Sequence, residues 1–271
     1  MLEELKKIPV FILRDLRILF TYKLAFSMSF LSILFNLFYL VLFGSMFGST
    51  ILPILSPYGG NFIYYILVGS VGWGFMWSIM SATSTSVSTE MMMGTLESIL
   101  LTSTRVSTIM LSYAIFGGLF GLISVAILLF VGFFVFGIAV LSAATMYTLI
   151  IFILSTVMMV GFGIMFGGLT IWLKNIGDTV PFIQNVTMFF CGVYFPVEVL
   201  PKFLQPVAHF MPFYYSIEGV RKSLLPTTSF SEIFFYVEVL LCLAVITVVV
   251  GMLILRKGVD KAKKEGSLAF Y

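Results

Sequence analysis

Formal charge is missing from two long stretches of this chain. No Asp, Glu, Lys or Arg occurs between Leu24 and Thr89, a run of 66 residues, or between Val106 and Leu173, a run of 68 residues. A helix that crosses a bilayer needs about 20 mostly apolar residues, because each residue advances it by about 1.5 Å across about 30 Å of hydrocarbon. Each run is long enough for two spans, so the sequence predicts an integral membrane protein.

Residues that carry chemistry are also scarce. Charged residues make up 10% of the 271 residues, His209 is the single histidine, and the two cysteines, Cys191 and Cys242, lie in apolar segments. One histidine cannot form a metal-binding cluster, and isolated apolar cysteines behave as small hydrophobic residues. The sequence has no Gly-x-x-x-x-Gly-Lys-Ser/Thr motif for nucleotide phosphates. We therefore expect no catalytic activity, no cofactor or metal bound to this chain, and no nucleic-acid partner.

The hydrophobic sequence divides into six predicted spans, which we separate at clusters of glycine, proline and serine. These spans cover residues 24–47, 62–84, 106–136, 145–173, 179–197 and 233–255. Six spans place both termini on one side of the membrane, and twelve of the fifteen basic residues lie on that side. Basic residues that flank spans are retained in the cytosol, so both termini should be cytosolic. The chain, residues 1–271, should then form one transmembrane domain that consists of an N-terminal helix (1–23), a bundle (24–255) and a basic cytosolic tail (256–271).

Proline is absent from residues 60–179, and six of the nine prolines fall between Pro181 and Pro226. Proline interrupts a helix because it lacks a backbone donor and its ring clashes with the preceding turn. The first four spans should therefore be continuous, whereas the segment from Val197 to Pro226 should form short external or re-entrant helices in the outer leaflet. Irregular backbone at that depth must pack on protein or line a cavity. The alternative is that this segment folds as an external cap and has no role in transport.

The segment before the first span has the pattern of an amphipathic helix. Its apolar residues recur at steps of three and four, and basic residues take the opposite face: Leu5, Ile8, Ile12, Leu16 and Leu19 against Lys7, Arg14 and Arg17. This pattern is typical of a helix that lies in the membrane interface. A basic flank that only fixes the topology is equally compatible with it. Pro9 falls inside the segment and should interrupt the helix.

An ion-coupled secondary transporter is the alternative function. Ion relays usually need an ionisable residue within a span, and the first four predicted spans contain none. Hydroxyl groups could still bind sodium, and seven of them occur close together around the end of the second span: Ser81, Thr83, Ser84, Thr85, Ser86, Ser88 and Thr89. A helix end rich in serine and threonine also packs closely on other helices, so both interpretations stay open.

The most specific pattern lies in the segment TEMMMGTLESILLTSTR, from Thr89 to Arg105. It resembles the coupling region of permease subunits of type-2 ATP-binding-cassette (ABC) transporters, in which a glutamate and three residues precede Gly-Thr-Leu-Glu, Leu-Leu and Thr-Pro. The matching positions are Glu90, Gly94, Thr95, Leu96, Glu97, Leu100, Leu101 and Thr102. Ser103 replaces the family's proline, so the pattern does not predict how the chain continues after that helix. Taken alone, the carboxylates of this loop are either solvated or dock on a partner, and the resemblance favours docking.

A second match begins at Phe189 with the sequence FFCGVYFPVEVLP, which resembles the family's sequence at the end of the fifth span. The following Pro212-Phe213-Tyr214-Tyr215 resembles the family's Pro-Leu-Thr-Tyr. The resemblance assigns an external gate or re-entrant segment to Gly192, Phe195, Pro196, Leu200, Pro201, Pro212, Tyr215, Glu218 and Arg221. By spacing alone, Glu218 with Arg221 and Lys222 predicts a local helical ion pair worth about 0.2–0.5 kcal/mol.

The resemblance implies the transmembrane subunit of an ATP-driven exporter in a prokaryotic cytoplasmic membrane. Its partners would be two copies of an ABC ATPase, which binds Mg-ATP, and a second permease copy, expected as a homodimer although a heterodimer stays open. The substrate would be hydrophobic and drug-like, lipid-like or a glycoconjugate. Trp73 and Trp77, one helical turn apart, would suit an aromatic pathway for a polysaccharide or would anchor the helix at the lipid interface.

Overall fold

The computed structural model of this chain describes residues 2–46, 53–58, 60–102, 104–137, 140, 145–173, 179–225 and 228–265. All regular structure in this part of the chain is helical. Among the described residues, four helices are long and apolar enough to cross a membrane: α3 (Phe62–Met92), α5 (Val106–Phe136), α6 (Met146–Leu173) and α10 (Phe230–Glu265). The all-α, multi-pass architecture predicted from the charge-free runs is therefore confirmed, and α3, α5 and α6 are continuous as the absence of proline predicts.

Two helices precede this bundle, α1 (Leu2–Thr21) and α2 (Lys23–Met46). Parts of them, Lys6–Thr21 and Phe26–Phe35, meet at an angle of 87° and together are apolar enough for a fifth span. α1 continues through Pro9, although the sequence predicted an interruption there. A proline removes one helical hydrogen bond, and the packing of α1 along α5 compensates for this loss.

α6 and α10 pack along each other through four glycines, Gly161 and Gly168 on α6 and Gly251 and Gly258 on α10. A Cβ atom at Gly251 would lie 2.5 Å from the carbonyl oxygen of Gly161, and one at Gly258 would lie 2.6 Å from that of Gly168. Only glycine permits such a close approach. Small residues allow helices in lipid to associate through dispersion contacts, because no hydrophobic driving force exists between them there.

The chain after α6 is broken, as the proline distribution predicts. α7 (Thr179–Phe190) has 12 residues and is about 18 Å long, so it is shorter than the span predicted at residues 179–197. The helix cannot continue because Gly192 has a φ of 69°, in the left-handed region. A short 3-10 turn follows, and then α8 (Gln205–Phe210) and α9 (Pro212–Ser223).

The last helix differs from the prediction at its C-terminal end. The sequence predicted a span at 233–255 and a separate tail from residue 256, but α10 continues to Glu265. Val259 and Ala262 on this extension are 6% and 3% exposed and pack in one apolar cluster with Leu96 and Leu100. This burial stabilises the extra helical turns. Residues 266–271 of the predicted tail lie outside the described residues.

Candidate functional site

α3 continues beyond its apolar part into a tight turn at the end of the bundle that carries α1 and the end of α10. We call residues 90–101 of this region the 90–101 turn. Gly94 in the turn has a φ of 69°, which glycine adopts without steric cost. The amide of Thr95 then donates to the carbonyl of Glu90 at 3.0 Å, and α4 (Leu96–Leu100) begins one residue later. Ser103, which replaces the family's proline, lies outside the described residues.

Glu90 connects this turn to α1. One carboxylate oxygen lies 2.9 Å from the Arg14 guanidinium and accepts a hydrogen bond of 3.4 Å from the Tyr113 hydroxyl. The other oxygen accepts a hydrogen bond from the Thr95 hydroxyl. Arg14 also pairs with Asp15 at 2.8 Å. Glu90 is therefore engaged within the chain, where it fixes the turn against α1.

The outer surface of the 90–101 turn combines apolar and acidic groups. Met92, Met93 and Leu101 are 71%, 68% and 78% exposed, and a cluster of large exposed apolar side chains is typical of an interaction site. The Glu97 side chain is half-buried and forms no hydrogen bond or ion pair with any described residue. Leu96, at 3% exposure, anchors α4 to the bundle. The turn thus presents an unpaired carboxylate together with exposed apolar side chains.

A second contact ties α1 to the start of α5. The Glu4 carboxylate accepts hydrogen bonds from the Arg105 amide at 3.1 Å and the Thr108 hydroxyl at 3.0 Å, and it pairs with Lys7 at 2.8 Å. A carboxylate at a helix N-terminus satisfies free amides and interacts favourably with the helix dipole. The hydrogen bonds from Lys7 and from the Arg105 amide lower the pKa of Glu4 from 4.5 to about 2. α1 therefore touches both the 90–101 turn and α5.

A buried ion pair joins three segments at the opposite end of the bundle. Arg221 on α9 is 0% exposed, and it donates to the Glu218 carboxylate at 3.1 Å. It also donates to the carbonyl oxygens of Gly192 at 3.0 Å and Tyr65 at 3.3 Å. The Tyr65 ring centroid lies 3.6 Å from the guanidinium carbon, and the Tyr65 hydroxyl donates to Gly192 at 2.9 Å. We call these four residues the Arg221 cluster, which connects α3, α9 and the turn after α7.

The helical ion pair predicted from spacing is therefore confirmed for Glu218 and Arg221. The pair is buried, however, so its effect on stability is larger than the small local contribution expected from spacing alone. Glu218 is 3% exposed, and removing one partner of a buried pair costs about 3–5 kcal/mol. Gly69 leaves room for the cluster, since a Cβ atom there would lie 2.6 Å from an Arg221 nitrogen. The other residues predicted for this segment differ in exposure: Pro196 and Leu200 are buried, Phe195, Pro212 and Tyr215 are half-buried, and Pro201 is exposed.

A cavity of about 520 Å³ lies between α2, α3, α5 and α7. None of its described lining residues is charged, and its polar groups are hydroxyls and one amide: Ser32, Ser70, Ser78, Ser81, Thr85, Ser124, Gln184 and Tyr194. Trp73 and Trp77 line the same cavity and stack at 5.7 Å between ring centroids. The hydroxyl of Ser70 is buried without a hydrogen-bond partner among the described residues. The cavity therefore offers aromatic faces and uncharged hydrogen-bonding groups.

The hydroxyl-rich end of α3 divides between two environments. Thr83 donates to the Ile79 carbonyl at 3.4 Å, and the Ser84 hydroxyl lies 3.1 Å from that of Thr170 on α6. These two hydroxyls are buried and serve helix packing, whereas Ser81 and Thr85 line the cavity.

Comparison with known proteins identifies the family of this chain. Residues 13–225 match the ABC-2 type transporter family. The chain belongs to the ABC-2 type transporter family. No curated protein matches the chain. Membership makes it a multi-pass permease of an ABC transporter and implies an ABC ATPase as its partner. The matched region contains the 90–101 turn, the cavity and the Arg221 cluster.

The sequence indicated part of each polar site in this ABC-2 permease. It identified Glu90 and Arg221 from motifs and spacing, but it missed Tyr113 and Tyr65 as partners and treated Arg14 only as part of a basic face. The chain contains 12 tyrosines with no pattern that distinguishes these two. Glu90 and Arg14 lie far apart in the sequence, and so do Arg221 and Tyr65. No local signal therefore reveals either contact.

Proposed function

We propose that this ABC-2 permease is the transmembrane half of an ATP-driven exporter in a prokaryotic cytoplasmic membrane. Both termini and the 90–101 turn then face the cytosol, where two ATPase subunits bind Mg-ATP and hydrolyse it. This chain contributes no catalytic group. The proposal rests above all on the exposed apolar surface of the turn, formed by Met92, Met93 and Leu101 around the unpaired carboxylate of Glu97.

The contacts of Glu90 supply a route for the ATPase movement. A force on the turn acts directly on α3, because the turn continues from that helix, and it acts on α1 through Glu90 and Arg14, which lie 2.9 Å apart. α1 is attached in turn to the start of α5 through Glu4. Movement of the ATPase pair would therefore shift α1, α3 and α5 together, and α3 and α5 line the cavity.

The arrangement in the membrane follows from the same orientation. We place α1 in the cytosolic interface and α2 across the bilayer, in keeping with the 87° angle between their segments. α7 forms the fifth crossing together with the turn after it, and α8 and α9 dip into the outer leaflet, which gives six crossings. The Arg221 cluster closes the outer end, because it fastens α9 to α3 through a fully buried guanidinium.

The cavity is the best candidate for the substrate pathway. None of the described residues that line it is charged, so among them a cation or an anion would lose its hydration without gaining a partner charge, which is unfavourable. Stacked Trp73 and Trp77 and the free hydroxyl of Ser70 suit an uncharged molecule with apolar and hydrogen-bonding surfaces. A drug-like, lipid-like or glycoconjugate substrate has such surfaces. A second permease copy, as a homodimer, would complete the pathway.

Substitution of Glu97 tests the coupling role. In lipid vesicles that contain the permease and its ATPase, Glu97→Ala should reduce both recovery of the complex and substrate-stimulated ATP hydrolysis. Loss of one partner of a charge pair that becomes buried at an interface costs about 2–5 kcal/mol. Glu198→Ala removes an exposed carboxylate at the opposite end of the bundle and serves as the control. Wild-type recovery and hydrolysis for Glu97→Ala would remove the coupling role.

Topology is tested separately with reporter fusions. A reporter that functions only in the cytosol should be active when it is fused after Tyr271. The reason is that twelve of the fifteen basic residues lie on the cytosolic side in the six-span arrangement. An external reporter would reject the six-span arrangement without affecting the membership of the ABC-2 family.

A further inference from the structure

Two adjoining crevices lie between α1, α5, α6 and α10 on the side of the 90–101 turn. Their volumes are about 410 Å³ and about 270 Å³. Arg105, Ser107 and Met252 line both crevices, so the two share a wall, and we call them together the groove. This groove is separate from the uncharged cavity between α2, α3, α5 and α7.

Two arginines stand at the mouth of the groove. Arg105 precedes α5, Arg256 lies near the end of α10, and both side chains are exposed. Neither side chain forms a hydrogen bond or ion pair with a described residue. A guanidinium binds phosphate oxygens through paired N–H donors, which makes arginine well suited to a phosphate anion. The Ser107 hydroxyl adds a hydrogen-bond donor between them.

The carboxylates of the groove do not cancel this positive charge. Glu4 lines the smaller crevice, but it already pairs with Lys7 and accepts hydrogen bonds from the start of α5. Asp260 lines the larger crevice and is the only acidic residue among its described lining residues. The mouth of the larger crevice therefore carries two positive charges and one negative charge.

The smaller crevice is lined mainly by apolar side chains, whereas the larger one combines polar and apolar groups. Beyond the arginines, the larger crevice is lined by Val106, Leu255 and Val259, and the smaller one by Leu111 and Ile164. A free phosphate ion would use only the mouth. A phospholipid would place its phosphate between the arginines and an acyl chain along the apolar side chains, in the manner of basic pockets between membrane helices.

We propose that this groove binds one anionic phospholipid of the adjacent leaflet, with Arg105 and Arg256 on its phosphate. Bound there, the lipid connects the start of α5 to the end of α10. The probe is dioleoyl phosphatidylglycerol, and its retention on the purified full-length chain is measured by native mass spectrometry. Dioleoyl phosphatidylcholine, whose headgroup is uncharged overall, is measured in parallel.

The test compares charge removal inside and outside the groove. Arg105→Gln with Arg256→Gln should weaken phosphatidylglycerol binding about thirtyfold, and each single change should weaken it about fivefold. Lys263→Ala with Lys264→Ala removes the same charge from exposed positions on α10 that do not line the groove, and binding should stay within twofold of wild type. Met252→Trp should displace the acyl chain without changing any charge.

Three results would overturn the proposal. Equal loss in the two double variants would mean that the basic end of the chain attracts lipid without a site. Equal retention of phosphatidylcholine and phosphatidylglycerol by the wild type would mean that the groove does not select an anionic phospholipid. Unchanged retention in the double arginine variant, with a wild-type unfolding temperature, would mean that the groove binds no lipid.

Discussion

Replacement of Arg221 by methionine should open the outer end of the permease. Methionine has a similar length but no charge, so the variant loses the hydrogen bonds to Glu218, Gly192 and Tyr65. It leaves the carboxylate of Glu218, which is 3% exposed, without its partner. Breaking a buried ion pair in this way costs about 3–5 kcal/mol, far more than the loss of an exposed pair.

The same structure predicts that a double substitution is milder. Glu218→Leu together with Arg221→Met removes both charges, so no unpaired ion stays buried. Apolar replacement of a whole buried pair is often neutral or stabilising. The carbonyl of Gly192 keeps the Tyr65 hydroxyl as a donor at 2.9 Å. We therefore expect the double variant to be more stable than Arg221→Met alone by at least about 2 kcal/mol.

Cys191 provides a local probe of this opening. It precedes Gly192 and is 1% exposed, so a maleimide reaches its thiol only when the cluster opens. The exposed Cys242 is first replaced by alanine. A loss of 3 kcal/mol in closing free energy should raise the labelling rate by about a hundredfold. Lys202→Met, which changes an exposed basic residue, is the control and should leave the rate unchanged.

Two outcomes would refute the reasoning about the Arg221 cluster. A labelling rate for Arg221→Met within twofold of the wild type would mean that the ion pair does not hold α9 to α3. Equally fast labelling of the double variant and of Arg221→Met would mean that the lost hydrogen bonds of Arg221, and not the unpaired charge of Glu218, dominate the free energy.

Three further predictions concern the contacts of α1 with the 90–101 turn and with α5, and the packing of α10 on α6. Glu90→Gln should lower the free energy of unfolding by about 1.5–3 kcal/mol. Arg14→Gln also removes the pair with Asp15, and the loss in the double variant should be smaller than the sum of the two single losses; full additivity in this double-mutant cycle would deny the interaction of Glu90 with Arg14. Gly251→Ala should lower the unfolding temperature because its Cβ would meet a backbone oxygen at 2.5 Å, whereas Gly72→Ala meets nothing within 4 Å and should not; equal losses would contradict this packing. Because the pKa of Glu4 falls from 4.5 to about 2 on folding, the stabilisation of the folded state by this carboxylate is complete above about pH 4.5 and disappears as the pH falls towards 2. Acid titration of the Glu4→Gln variant should lack this pH-dependent loss of stability, and identical titration profiles for the variant and the wild type would exclude it.

The sequence by itself determined that this chain spans a membrane and that the segment after α6 cannot form one long helix. Charge-free runs of 66 and 68 residues have this meaning because the bilayer excludes unpaired charge over a fixed thickness. Likewise, the prolines between Pro181 and Pro226 forbid a long helix for local steric reasons. The motif around Glu97 indicated the family, which the match to residues 13–225 confirmed. Each of these signals is local, so no knowledge of distant contacts was needed.

Only the tertiary structure decided which polar groups meet and how deeply they are buried. The hydrogen bond from Arg221 to the Tyr65 carbonyl spans 156 positions in the chain, and the pair formed by Arg14 and Glu90 likewise joins separate helices. The spacing of Glu218 and Arg221 predicted their contact, but the same spacing occurs on exposed helices. Its free energy depends on the dielectric and hydration around the pair, which are set by helices that pack from elsewhere in the chain.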